Sequence, residues 1–266
     1  MPENKLEKLK ILLRGMESVL IAYSGGVDST FLLKVAKDVL GDNVLAVTAR
    51  SPTYPKREYL EAKKTTKIFE VRLLTILTDE LSQLDFVHNP PNRCYHCKRE
   101  LFTKLKEIAR VHNIRWIVDG SNFDDLKDFR PGRKAAEEMG VRSPLCEAGL
   151  AKEEIRSLSK KLGLHTWDKP SLACLASRVP YGTLITQEIL DRLDCAEEFL
   201  MSLGLRQIRV RHHGEIARIE IEPENIEKII YHREEIVNTL KNLGYPYITL
   251  DLEGYRSGSL NEVLNR

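Results

Sequence analysis

No stretch of this chain approaches the roughly 20 consecutive apolar residues that a membrane helix needs, and the mean hydropathy is −0.32. Charge of one sign is also missing. Lys and Arg number 41 against 39 Asp and Glu, a net of +2 over 266 residues. Such a balance is unlike a protein built to coat nucleic acid, whose basic residues must offset phosphates. There is no internal repeat and no low-complexity tract. The opening residues, MPENKLEKLKILLRGMES, read as a charged amphipathic helix and lack the apolar core of a secretion signal. Cysteine is scarce: five residues, an odd number at uneven spacing. That argues against a disulfide framework and for metal or redox chemistry. The expectation is a cytoplasmic globular protein with no membrane partner, 42% apolar and long enough to bury a substantial core.

What is present begins with alternation. Residues 18–23 (SVLIAY) form a short, wholly apolar run, as in a strand buried on both faces. Helical spacing follows over 29–40, closed by Gly41, then another apolar run at 44–48. Residues 56–66 predict an exposed helix, 67–73 a weaker strand, 99–111 a helix and 116–119 (WIVD) a brief buried strand. Repeated strand–helix units predict a doubly wound parallel sheet, an α/β fold. Over 164–182 the period is lost, so a domain boundary is expected there, with one domain over 1–168 and a smaller α+β domain over 169–266. In the second part, 187–203 and 225–243 read as helices. Residues 207–212 and 216–221 read as antiparallel strands about His213-Gly214, and 247–250 as a last strand.

The most informative stretch is Tyr23-Ser24-Gly25-Gly26-Val27-Asp28-Ser29-Thr30. It falls where a buried strand passes into a helix, so the free N–H groups of the helix start face the loop and favour an anion. Gly25 and Gly26 let the backbone approach a phosphate closely, and Ser24, Ser29 and Thr30 add hydroxyls. Asp28 suits a magnesium ion that screens the phosphates. The loop is neither a Walker A motif nor a dinucleotide GxGxxG. A second loop, residues 119–125 (DGSNFDD), leaves the WIVD strand at a carboxyl end of the sheet, where open α/β folds bind ligands; it includes Gly120. Residues 128–132 (DFRPG) read as a continuation of the same wall.

SGGVDS resembles the pyrophosphate loop of the N-type ATP pyrophosphatases, the PP-loop superfamily that includes NAD and GMP synthetases, argininosuccinate synthetase and tRNA thiolases. The resemblance implies ATP as a substrate, release of pyrophosphate and transfer of AMP to a substrate oxygen.

Cys94-Tyr95-His96-Cys97 is a CxxC placed, on this reading, in a loop after 88–93 (HNPPNR); a third cysteine, Cys174, lies in 170–178 (PSLACLASR). Closely spaced thiolates suit zinc or an iron–sulfur cluster. A redox CxxC is the alternative, although such motifs open a helix directly after a strand. Cys146 and Cys195 have no partner in sequence and are expected to pack in the core.

Four further stretches, 174–182 (CLASRVPYG), 208–212 (IRVRH), 216–220 (IARIE) and 249–258 (TLDLEGYRSG), together resemble the LarE family over nearly the whole chain. These are ATP-dependent sacrificial sulfur transferases that help make the nickel-pincer nucleotide of lactate racemase. The resemblance implies adenylation of a carboxylate on a pyridinium-3,5-dicarboxylate mononucleotide, then sulfur delivery to give a thiocarboxylate. In the simplest members one cysteine, matching Cys174, gives up its own sulfur. Cys94 and Cys97 mark a departure, and the chain is similar to a three-cysteine variant in which Cys94, Cys97 and Cys174 hold a [4Fe–4S] cluster. By the same resemblance, Lys98 lies near the reaction centre, Ser177 and Arg178 contact substrate, and Glu197 and Glu220 face the substrate or a metal. A homo-oligomer, a hexamer built as a trimer of dimers, is also implied.

An anionic nucleotide needs cations, and Arg178, Arg209 and Arg211 supply them; Arg209 and Arg211 share a strand face at period two. The alternative for Arg209, Arg211, Arg218 and Glu220 is a solvated strand with cross-strand ion pairs. Three rival functions remain open: a tRNA 2-thiolation enzyme, an ammonia-dependent synthetase of the same superfamily, and a nucleotide-binding regulatory domain.

Overall fold

The computed structural model describes residues 2–126, 131–171, 173–256 and 258–265. Residues 128–130 of the expected active-site wall lie outside the described residues. The chain forms two compact units, Met1–Glu80 with Asn92–Lys169, and Leu81–Pro91 with Pro170–Arg266.

The first unit is an α/β layer structure. Its elements in chain order are α1 (Pro2–Arg14), β1 (Val19–Ala22), α2 (Val27–Leu40), β2 (Val44–Arg50), α3 (Lys56–Ile68) and β3 (Arg72–Leu77). The second unit contributes α4 (Leu84–Val87) before the first resumes with α5 (Arg93–Val111), β4 (Trp116–Val118), α6 (Pro131–Glu138), α7 (Pro144–Glu147) and α8 (Lys152–Lys161). The strands lie in the order β3-β2-β1-β4, all parallel. Their side chains divide by period two between two cores. Val19 and Ile21 of β1, with Val44 and Ala46 of β2, pack with Phe31, Leu32, Ile155 and Leu158 on one face. Leu20, Leu45 and Val47 pack with Phe102, Leu105 and Ala135 on the other. Burial on both faces is why β1 and β2 read as unbroken apolar runs.

The order places a switch point between β1 and β4, since the chain steps one way to β2 and β3 and the other way to β4. The loops after β1 and β4 open there.

Three local readings change. The strand expected over 67–73 begins later, as β3 from Arg72, because α3, whose last turn includes Thr65 and Thr66, runs on through Lys67 and Ile68. The Thr65 and Thr66 hydroxyls bond back to the carbonyls of Glu61 (3.0 Å) and Ala62 (3.2 Å), and Glu70 at φ 53° ends the segment. The CxxC is helical and not a loop. α5 begins at Arg93, directly after Pro90, Pro91 and its N-cap Asn92, so Cys94 and Cys97 occupy its first turns. The helix expected over 225–243 is broken at His232 into α10 (Ile226–Tyr231) and α11 (Arg233–Asn242).

The second unit packs α9 (Gln187–Ser202) on a sheet of β5 (Ile208–His213), β6 (Ile216–Ile221) and β7 (Tyr247–Leu250). β5 and β6 are antiparallel, β6 and β7 parallel. Residues 81–91 belong to it through Asn89, whose amide donates to the carbonyls of Val179 (3.2 Å) and Pro180 (2.7 Å).

Candidate functional site

At the end of β1 the chain turns through Gly25, whose φ of +67° suits glycine. It enters α2 through Gly26, an N-cap that supplies no side-chain cap. Among the described residues the N–H groups of Gly25 and Gly26 have no hydrogen-bond partner. With the first N–H groups of α2 they form a set of donors at the positive end of the helix dipole. Ser24 and Ser29 face each other, Oγ to Oγ 3.0 Å. Gly120 from the β4 loop packs so closely that a Cβ there would lie 3.0 Å from the Ser29 backbone nitrogen. Thr30 is fully buried, its hydroxyl 3.2 Å from that of Tyr23, so it braces the β1–α2 corner.

Asp28 is the chemical centre of this loop. Its Oδ2 accepts from Lys152 Nζ at 2.7 Å and from Asn122 Nδ2 at 3.4 Å. Its Oδ1 is buried with no partner. An orphaned carboxylate oxygen beside a free helix start fits a hard divalent cation such as Mg²⁺. Neither Lys152 nor Asn122 is among the residues that the sequence singles out; Asn122 sits in the acidic loop, but nothing local marks Lys152. Asp119 orders that loop by accepting from Ser121 and from Ser143 Oγ (2.7 Å).

On α5, Cys94 is exposed and Cys97 half-buried. Their i,i+3 spacing puts both thiols on one side of the helix. Cys97 Sγ donates to Glu80 Oε1 at 3.7 Å, and Glu80 also accepts from Ser51 and Thr78. Lys98 stacks its ammonium over Phe102, 5.3 Å from the ring centre. Gly132 of α6 approaches α5 where any Cβ would meet Lys98 Cγ at 2.9 Å.

The second unit gathers the remaining residues. Cys174, half-buried, caps the short 3-10 turn Leu175–Arg178. Arg178 is buried, and its Nε and Nη2 form a bidentate pair with Glu197, each bond 2.9 Å. Its Nη1 donates to the carbonyls of Ala173 (2.6 Å) and Cys174 (2.9 Å) and to Ser177 Oγ (3.0 Å), so one guanidinium holds the whole cysteine turn. Glu197 also accepts from the Val210 N–H of edge strand β5 (3.1 Å). Burial opposes its charge, but Arg178 and Arg209 hold the carboxyl below its ordinary value.

Arg211 reaches Glu220 (2.7 Å), Ser259 Oγ (2.8 Å) and the Ser177 carbonyl (2.7 Å), while its buried Nε has no partner. Arg218 takes the other Glu220 oxygen at 2.9 Å. Arg209 donates to the carbonyls of Ile208 and Ser171 and lies over Tyr255. Burial and the nearby Arg178 push its pKa down to about 10. The cross-strand ion pair exists, yet the strand is not solvated: Arg209, Arg211 and Glu220 are all buried. Three buried guanidiniums, Arg178, Arg209 and Arg211, thus face two buried carboxylates, an excess of positive charge suited to an anion.

The core-packing expectation fails for Cys195, which is exposed on α9, and Cys146 is only half-buried. Cys195 falls on the outer side of an amphipathic helix whose inner stripe is Leu193, Ala196 and Leu200. Among the described residues no group of three or more His, Cys, Asp or Glu side chains is arranged to hold a metal ion. No helix is long and apolar enough to cross a membrane among the described residues.

No family model matches the chain. Individual proteins do. An uncharacterized protein of Synechocystis sp. is 46% identical over 268 residues, covering 100% of each chain. The pyridinium-3,5-bisthiocarboxylic acid mononucleotide synthase of Lactiplantibacillus plantarum is 37% identical over 263 residues, 98% of this chain and 95% of that protein. The chain belongs to the LarE family. More distantly, the glutamine-hydrolyzing GMP synthase of Thermotoga maritima is 24% identical over 194 residues, 64% of this chain and 38% of its own length.

Proposed function

We propose that this LarE-family chain is an ATP-dependent sulfurtransferase of nickel-pincer nucleotide biosynthesis. Its substrate on this reading is a pyridinium-3,5-dicarboxylate mononucleotide. The observation that carries the reading is Asp28: one oxygen is held by Lys152 and Asn122, the other is buried and unpaired beside the free N–H groups of Gly25 and Gly26. The near full-length match to a bisthiocarboxylate mononucleotide synthase supplies the substrate class.

The β- and γ-phosphates of ATP bind the loop 24–30, where Asp28 would hold Mg²⁺ and Gly120 packs against Ser29. A substrate carboxylate oxygen attacks the α-phosphorus and pyrophosphate leaves. A sulfur nucleophile then attacks the activated carbonyl carbon, and AMP departs with the original oxygen. Without adenylation that oxygen is a poor leaving group. Arg209 and Arg211 bind the nucleotide phosphate, and Arg178 holds the Cys174 turn by its carbonyls. Lys98 neutralises charge near the acyl adenylate.

Cys94, Cys97 and Cys174 are the sulfur-bearing set. Two thiols one helical turn apart fit a shared metal group, and three thiolates are the donor set of a cluster with one open iron. A [4Fe–4S] cluster bound by them would supply sulfide for repeated turnover. The enzyme acts in a homo-oligomer.

The test is pyrophosphate release and thiocarboxylate formation with the dicarboxylate mononucleotide, run beside bulk tRNA and ammonia. Turnover with tRNA or ammonia, and none with the mononucleotide, would overturn the reading.

A further inference from the structure

Two side chains from distant parts of the first unit grip consecutive peptides of the phosphate loop from outside. The Tyr54 hydroxyl donates to the Ser24 carbonyl. Lys169 Nζ donates to the Gly25 carbonyl at 3.3 Å. A trans peptide is planar, with its C=O and the following N–H on opposite edges. Fixing the Ser24 and Gly25 oxygens therefore turns the Gly25 and Gly26 N–H groups away from Tyr54 and Lys169. These are the two N–H groups left without a partner among the described residues.

We infer that Tyr54 and Lys169 are positioning residues for the triphosphate: they set two successive loop N–H groups in the ATP-binding orientation before ATP arrives. The inference rests on the reading of residues 24–30 as the ATP site.

Both side chains are built as lasting donors. Burial, with Glu58 close by, raises the Tyr54 phenol far above its usual range, so it keeps its proton. Burial alone would lower the Lys169 ammonium, but Glu58 and Glu61, each 2.6 Å away, hold it above the ordinary lysine value. Its ammonium thus donates to the Glu61 carboxylate and the loop carbonyl, with the buried Glu58 carboxylate paired to it by charge. The backbone of Lys169 is anchored too. Arg156 of α8 donates Nη2 to the Lys169 carbonyl and Nη1 to that of Trp167, each 2.8 Å. Preorganised N–H groups bind phosphate without reordering the loop, which is where such a device adds affinity.

The experiment is equilibrium binding of Mg-ATP and, separately, of adenosine to the full chain by calorimetry. The variants are Tyr54→Phe, Lys169→Arg, and Lys169→Met combined with Glu58→Gln, which leaves no buried carboxylate uncompensated. Tyr54→Phe removes one hydroxyl and nothing else. ATP affinity is expected to fall roughly tenfold in Tyr54→Phe and in the double variant, as for one lost hydrogen bond at a phosphate site. Adenosine affinity stays unchanged, and Lys169→Arg restores most of the ATP affinity. Unchanged ATP binding in Tyr54→Phe and the double variant would overturn the inference and leave the proposed function standing. An equal loss for ATP and adenosine also overturns it, since that is general loosening of the fold. A wild-type chain that does not bind ATP overturns both.

Discussion

Arg178 and Glu197 meet as a bidentate pair, 2.9 Å at each bond, with both side chains 1% exposed. The pair ties α9 to the Cys174 turn and, through the Val210 N–H, to the edge of the sheet. Its geometry is that of a brace for the Cys174 turn.

Glu197→Gln keeps the shape and removes the charge, leaving Arg178 buried without its counter-ion. The expected loss is about 3–5 kcal/mol, read by urea unfolding of the full chain at pH 7. The acid limb carries the sign. Glu197 has a folded-state pKa below its unfolded value, so its contribution is complete above the unfolded carboxylate range. It fades as pH falls from about 4 through the folded-state value. Wild-type stability should decline in that window, and the variant should be flatter there. Parallel pH curves for the two proteins would contradict the assignment.

On the proposed function, Asp28→Asn should cut pyrophosphate release at least about 100-fold, since it removes the charge that would hold Mg²⁺. Stability should fall by about 1 kcal/mol or less, since the amide oxygen still accepts from Lys152 and Asn122, the ion pair lost with Lys152 is partly exposed, and Oδ1 has no internal bond to lose. Lys152→Met should have a milder effect, raising KM for ATP more than it lowers kcat. A variant Asp28→Asn with wild-type pyrophosphate release would remove Asp28 from the site.

Gly120→Ala tests the close approach of the two loops. Its methyl would sit 3.0 Å from the Ser29 nitrogen and 3.1 Å from its Cα, so backbone must shift. The expected outcome is weakened ATP binding on titration with Mg-ATP. Gly182→Ala is the control: its φ of +79° carries the backbone strain, but no atom lies within 4 Å of the added methyl, and ATP binding should hold.

The cysteines are separated by anaerobic purification, iron analysis and absorption spectra. Cys94→Ala and Cys97→Ala should lose iron and multiple turnover while retaining ATP-dependent pyrophosphate release. Cys174→Ala should lose sulfur transfer altogether. Wild-type iron content in Cys94→Ala would exclude that thiol as a ligand, and loss of the Cys174 sulfur by mass spectrometry would favour the sacrificial route.

The parts of the site legible in sequence are those made by contiguous chain. SGGVDS declares itself because the glycines, the hydroxyls and Asp28 fall within one strand-to-helix turn. Lys152 and Lys169 stay hidden because they lie 124 and 144 residues from the atoms they hold, and an isolated lysine has no local pattern. The CxxC reads as loop because two prolines precede it, although proline is well tolerated just where a helix begins. Arg209 and Arg211 do alternate on a strand, as their spacing suggests. Their burial is not legible, since it depends on the turn and terminal residues that close over β5, Ser171, Ser177 and Ser259 among them.

The membership of Leu81–Pro91 in the second unit makes that unit discontinuous along the chain. During synthesis Asn89 leaves the ribosome about 90 residues before Val179 and Pro180, whose carbonyls its amide satisfies. The backbone N–H groups of Gly182 and Ile185 likewise wait on the carbonyls of Asn89 and Val87. Neither unit can therefore be cut out as a single stretch of gene: a fragment starting at Pro170 would be born without the strap that closes it.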